Sequence, residues 1–100
     1  MSKKNVMLNM MNQLQENLQG DIAAIRVTAS SGGGMVIAEM DGTKRLLSLK
    51  IDPEIVKSGD IEMLQDLIIA AVNEAARQTD EQSNAKMQSY LGRIKIPGLF

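Results

Sequence analysis

The sequence predicts an α+β fold in the order α-β-β-β-α, a three-stranded antiparallel meander flanked by an N-terminal helix and a long C-terminal helix. Two observations predict it. Apolar residues recur every three or four positions at both ends of the chain and every second position in its middle, the periods of a helix face and of a half-buried strand. The strand-like middle is divided by Gly32-Gly33-Gly34 and by Asp41-Gly42. Linkers this short cannot hold a crossover helix, so successive strands must run antiparallel.

The first helix is expected over about residues 4–18, where Val6, Met7, Met10, Met11, Leu14 and Leu18 form a stripe between Asn9, Asn12, Gln13, Gln15 and Glu16. Gly20 is expected to end it. Residues 22–30 read as a strand, with Ala23, Ile25, Val27 and Ala29 on one face and Ala24, Arg26 and Thr28 on the other. A second strand over residues 34–40 sets Val36, Ala38 and Met40 against Met35, Ile37 and Glu39. Asp41-Gly42 reads as a two-residue hairpin turn, since both residue types tolerate positive φ. The third strand, residues 43–51, sets Leu47, Leu49 and Ile51 against Leu46, Ser48 and Lys50.

Asp52-Pro53 stops that strand, because proline brings no amide donor to a ladder. Residues 53–57 suit a short helical turn, and Ser58 or Asp60 can cap the next helix. That helix is expected over residues 60–90, about 46 Å at 1.5 Å per residue. A compact chain of this length has a radius of gyration of about 13 Å, so the far end must project. Ile61, Leu64, Ile68, Ala71, Val72, Ala75, Thr79 and Met87 mark its apolar face. Residues 1–100 are expected to form one domain, with residues 92–100 as a tail. Ile94, Ile96, Leu99 and Phe100 in that tail are expected to dock back on the protein, with a partner-binding tail as the alternative.

With 2% aromatic residues and eight methionines, core volume must come from aliphatic side chains and methionine. Met35, Ile37 and Leu46 on the second sheet face, with the wide apolar base of the long helix, exceed what one small chain can cover. They are the expected homodimer interface.

Catalytic chemistry finds little material here. The chain has no cysteine and no histidine, so the usual thiolate, imidazole base and zinc ligands are missing. A phosphate-binding loop needs glycines between a strand and a helix, whereas Gly34 leads into another strand. Glu62 with Asp66, and Asp80 and Glu81 near Glu74, read as solvated helix faces. Ser30, Ser31, Ser48 and Ser58 lack a base to activate them. No enzyme activity, cofactor, metal or small-molecule substrate is expected. No stretch reaches the roughly 20 apolar residues of a membrane span, so a cytoplasmic location without a membrane partner is expected.

The stretches Val27–Gly34 (V-T-x-x-S-G-x-G), Ile51–Pro53 (I-D-P) and Met63–Arg77 (M-L-x-D-L…N-x-A-A-R), in this order, resemble the YbaB/EbfC family of bacterial nucleoid-associated proteins. The resemblance runs from about Asn9 to Met87. It implies the α-β-β-β-α fold, a homodimer, and binding to double-stranded DNA in the nucleoid. Carried over by position, Lys3 and Lys4 match the basic start of the family's first helix, Arg77 ends the A-A-R motif, and Lys86 precedes the last-helix methionine. About six such basic groups per dimer are expected on phosphates. The sequence departs from the family in charge. Residues 5–18 hold no basic residue, and residues 60–90 hold six acids against Arg77 and Lys86, a balance of -4. An alternative expectation is a protein-interaction module of the same fold that has lost most DNA contacts. The sheet's own cations, Arg26, Lys44, Arg45 and Lys50, form its densest positive charge.

Overall fold

A computed structural model describes residues 3–93. The elements are α1 (Lys3–Ala23), β1 (Arg26–Ser31), β2 (Val36–Asp41), β3 (Leu46–Ile51), α2 (Pro53–Lys57) and α3 (Ile61–Arg93). The strands form one antiparallel sheet in the order β1-β2-β3. The expected α-β-β-β-α order and meander are therefore present.

The core sits where α3 crosses β1 and β2. Alternation delivers Val27, Ala29, Val36, Ala38 and Met40 to one sheet face, and all five are buried with Ile25. Ala71 and Ala75 meet them from α3, both fully buried. Small residues on both sides let the helix backbone lie close to the sheet, and the larger Leu64, Leu67, Ile68 and Val72 fill the flanks. Ser31 fixes the crossing, its hydroxyl donating to the Leu67 carbonyl at 2.6 Å.

Capping follows the residues. Asp52 accepts from the Glu54 amide at 2.9 Å and Pro53 occupies the first turn of α2. Asp60 accepts from the Met63 amide at 3.0 Å and starts α3. From there α3 runs 33 residues, about 50 Å. The long dimension of the molecule is 68 Å and its radius of gyration 19.9 Å, so the helix projects as expected. α1 lies antiparallel along the projecting part. Asp21 of α1 and Ala24, just past its end, share a cleft with Gln82 and Lys86 of α3, while Leu8 and Met11 line a groove with Leu91. The two helices thus form an arm whose tip carries the start of α1.

Several local expectations are corrected. Gly20 does not end α1: the Ala24 amide still donates to the Gly20 carbonyl at 3.0 Å, and the helix takes in Ile22 and Ala23. β1 accordingly starts at Arg26, four residues later than the alternation suggested. Contacts made by this last turn override the weak helix propensity of one glycine. The second hairpin is not a two-residue turn. Asp41 and Arg45 close it, with the Asp41 amide donating to the Arg45 carbonyl at 3.0 Å, and positive φ falls on Lys44 at 68° rather than on Gly42. A bulge follows, since Glu39 pairs with Ser48 but Met40 pairs with Leu46. Leu46 therefore lies opposite a core residue and off the outer face that holds Ile37, and Met35 belongs to the first turn rather than to β2. Gly92 and Arg93 continue α3 instead of opening the tail. The expected docking of Ile94, Ile96, Leu99 and Phe100 lies outside the described residues.

The first hairpin answers what the glycines do. Gly32, Gly33 and Gly34 have φ of 60°, 67° and 95°, a left-handed run that L side chains resist. It joins two strands, as the sequence suggested.

Candidate nucleic-acid interface

Phosphate binding needs basic groups that are exposed and not already matched by acids, so the cations sort the surface. Arg77 is matched. It donates to both Glu74 oxygens, at 2.6 and 3.0 Å, and to Glu81 at 2.5 Å. The three residues sit on one α3 face at spacings of three and four, which brings their side chains together. One positive and two negative charges leave the cluster at -1. Arg77, with Gln78 behind it, holds the Glu74 carboxyl down at about 2, and the two carboxylates push the Arg77 guanidinium further up.

Two sheet cations are committed as well. The Arg26 guanidinium donates to the Ala23 carbonyl, an orphan acceptor at the end of α1, and to the Ile25 carbonyl just beyond it, both at 2.9 Å. Lys44 reaches Asp80 at 2.8 Å and ties the second hairpin to α3. Asp41 organises that hairpin, accepting from the Thr43 hydroxyl at 2.6 Å, the Thr43 amide at 2.9 Å and the Arg45 amide at 3.0 Å. The Thr43 hydroxyl above all holds its carboxyl below the ordinary range.

Lys86 is half-buried in a shallow cleft with Asp21, Ala24, Ile25, Gln82 and Ala85. Lys3 and Lys4 are different. Both are exposed on the first turn of α1, which has no acidic residue, and among the described residues neither has a carboxylate within ion-pair reach. Arg93 ends α3 with its guanidinium 4.7 Å above the Tyr90 ring. Arg77 lies sixteen residues before it, about 24 Å back along the helix and level with the sheet. The four expected DNA contacts therefore do not converge: Lys3 and Lys4 share the arm tip, Lys86 sits midway, and Arg77 sits at the base.

A family model for the YbaB/EbfC DNA-binding family matches residues 1–94. The chain belongs to the YbaB/EbfC family. A nucleoid-associated protein of Koribacter versatilis is 47% identical over 94 residues, covering 94% of this chain and 93% of the relative. One from Clostridium novyi is 40% identical over 90 residues, covering 90% and 79%. The fold is similar to that of an uncharacterized protein from Helicobacter pylori, with a TM-score of 0.76 at 25% identity, covering 91% of this chain and 98% of that one. YbaB/EbfC proteins are a DNA-binding family, not a family of enzymes, which agrees with the sparse catalytic material of this sequence.

Sequence reasoning missed one residue that builds the arm. Tyr90 is buried and donates its hydroxyl to Asp21 of α1, joining the two helices. Its helical spacing from Met87 was a usable signal, because it extends the apolar face by one more turn.

Proposed function

We propose that this YbaB/EbfC protein binds double-stranded DNA as a homodimer, through phosphate contacts from the tips of α1 and with little sequence preference. One observation carries the reading: Lys3 and Lys4 are exposed, with no carboxylate partner among the described residues, on the first turn of a helix at the end of a projecting arm. The N-terminal end of a helix also bears partial positive charge, which favours phosphate. Family membership supports DNA as the partner, and the nucleoid-associated relatives support a cytoplasmic, nucleoid location.

The second subunit is inferred from apolar surface that this chain leaves wet. Leu46, Ile61, Met63 and Ile69 are exposed around the body, and Met35 and Ile37 are only half-buried. Twofold pairing of that surface would bury it and present two α1 tips to one duplex. Base reading has little support, since the arginines at positions 26 and 77 are occupied within the chain.

A titration with duplex DNA at two salt concentrations tests this. Lys3 and Lys4 from two subunits would neutralise about four phosphates, so log K should fall with log salt at a slope of about -3.6. Affinity should drop about 150-fold between 50 and 200 mM salt. Lys3→Ala with Lys4→Ala should weaken binding to all sequences alike and flatten the slope, whereas Arg77→Ala should leave both unchanged. No retention of duplex at 50 mM salt would overturn the DNA reading and favour the protein-interaction module, which the acidic α3 suits better.

A further inference from the structure

Between α1 and α3 the arm holds an apolar groove of about 300 Å³, lined chiefly by Leu8, Met11, Leu14, Leu18, Met87 and Leu91. Its walls are wet: Leu8 is 51%, Met11 64% and Leu91 57% exposed. A contiguous apolar strip of this kind marks an interaction site. We propose that the chain's own C-terminal segment, residues 94–100, covers it.

Position comes first. The described part of α3 reaches Arg93, two residues past the groove-lining Leu91, so the segment is tethered next to the groove. Reach is sufficient. Seven residues in extended form span about 23 Å, and the groove runs about 15 Å along α1 from Leu8 to Leu18. The sequence Ile94-Lys95-Ile96-Pro97-Gly98-Leu99-Phe100 supplies four large apolar side chains. Pro97 cannot prolong α3, and Pro-Gly favours a change of direction. The chemistry of the walls matches as well. Among the described residues no charged one lines the groove, while the Asn12 and Gln15 amides can bond the polar backbone of an extended segment. A tethered segment also has an effective concentration in the millimolar range, far above that of a second copy in dilute solution. This inference does not depend on DNA binding.

Oxidation of the methionines by hydrogen peroxide tests it in the full chain at low concentration. Peroxide transfers one oxygen to the thioether sulfur, giving the sulfoxide and water. Met10 and Met11 have the same exposure, 64%, yet only Met11 lines the groove. Met10 is about 100° further round the helix and serves as the internal reference. Peptide mass spectrometry should show Met11 and Met87 oxidising at least about threefold more slowly than Met10, since susceptibility follows access. Leu99→Asp with Phe100→Asp should abolish the difference. Met11 reacting as fast as Met10 in the unaltered chain would overturn the proposal. So would protection that survives the double substitution, which assigns the groove to another occupant. A second copy is that occupant if protection deepens with protein concentration.

Discussion

Tyr90 of α3 donates its hydroxyl hydrogen to the Asp21 carboxylate of α1, a contact between residues 69 apart in the chain. The phenol is 4% exposed, and the Arg93 guanidinium stacks above its ring. No residue of α1 is buried, so this one directed bond fixes much of how α1 lies on α3. Tyr90→Phe keeps the ring and removes the bond. Amide hydrogen exchange in α1 should then quicken, with exchange at the crossing of α3 over β1 and β2 unchanged and melting lowered by a few degrees. Unaltered exchange in α1 would show that the bond does not hold the arm together.

The same contact sets an alkaline limit. The bond to Asp21, and then burial, raise the Tyr90 hydroxyl above its ordinary value of 10.0. The folded chain therefore holds this proton more tightly than the unfolded one. Stability from this group is complete below pH 10 and falls as pH rises through the folded-state value. Thermal melts from pH 8 to 11 should show this loss in the unaltered protein and a smaller one in Tyr90→Phe. Equal losses in both would remove Tyr90 from the alkaline transition.

Two glycines should respond in opposite directions to alanine. A Cβ on Gly42 would lie 1.8 Å from the Ile22 carbonyl oxygen, backbone against backbone. Gly42→Ala should cost about 2 kcal/mol or more, which is roughly 10 °C in melting temperature for a chain of this size. A Cβ on Gly20 meets nothing within 4 Å, inside a helix. Gly20→Ala should therefore stabilise by about 0.8 kcal/mol. Calorimetry on the two variants checks both signs.

Gly34 holds φ at 95° in the first hairpin. A β-branched residue there is strained whatever the space, so Gly34→Val should destabilise by about 1–2 kcal/mol. Adding ATP or GTP should leave the melting temperature where it was. A clear rise with nucleotide would mean that the glycine run binds phosphate after all.

Arg77 offers a gain-of-binding test. Glu74→Gln with Glu81→Gln removes both of its carboxylate partners and takes the net charge of the chain from -1 to +1. If phosphates are what the surface binds, duplex affinity at 50 mM salt should rise and the salt slope should steepen by about 1 for each arginine that engages. The pair also has an acid limit. Because Glu74 is lowered from 4.5 to about 2, its contribution is complete above pH 4.5 and is lost as pH falls through 2. An NMR titration of the Glu74 carboxyl that gave an ordinary value would show that the cluster does not form in solution.

Residue order alone determined the elements and their faces. Periodicity placed Val27, Ala29, Val36, Ala38 and Met40 on the buried side of the sheet and Ala71 and Ala75 on the buried side of α3. Asp52-Pro53 and Asp60 placed the helix starts, and the glycine run placed the first hairpin. These are short-range effects, set by backbone geometry and by side chains bonding amides two or three residues away. Only the tertiary structure decided the rest. α1 runs through Gly20 because its last turn meets Gly42 through Ile22 and Tyr90 through Asp21, partners that lie distant in the chain. The second hairpin takes its bulge and its left-handed Lys44 from the Asp41 carboxylate and from the Lys44–Asp80 pair with α3. Which of the described cations are occupied within the chain was settled the same way. Charge counts treat Arg26, Lys44 and Arg77 like Lys3 and Lys4, but folding brings carbonyls or carboxylates to the first three and leaves the two lysines in water. A pairwise contact depends on where two segments meet in space, and no local period encodes that.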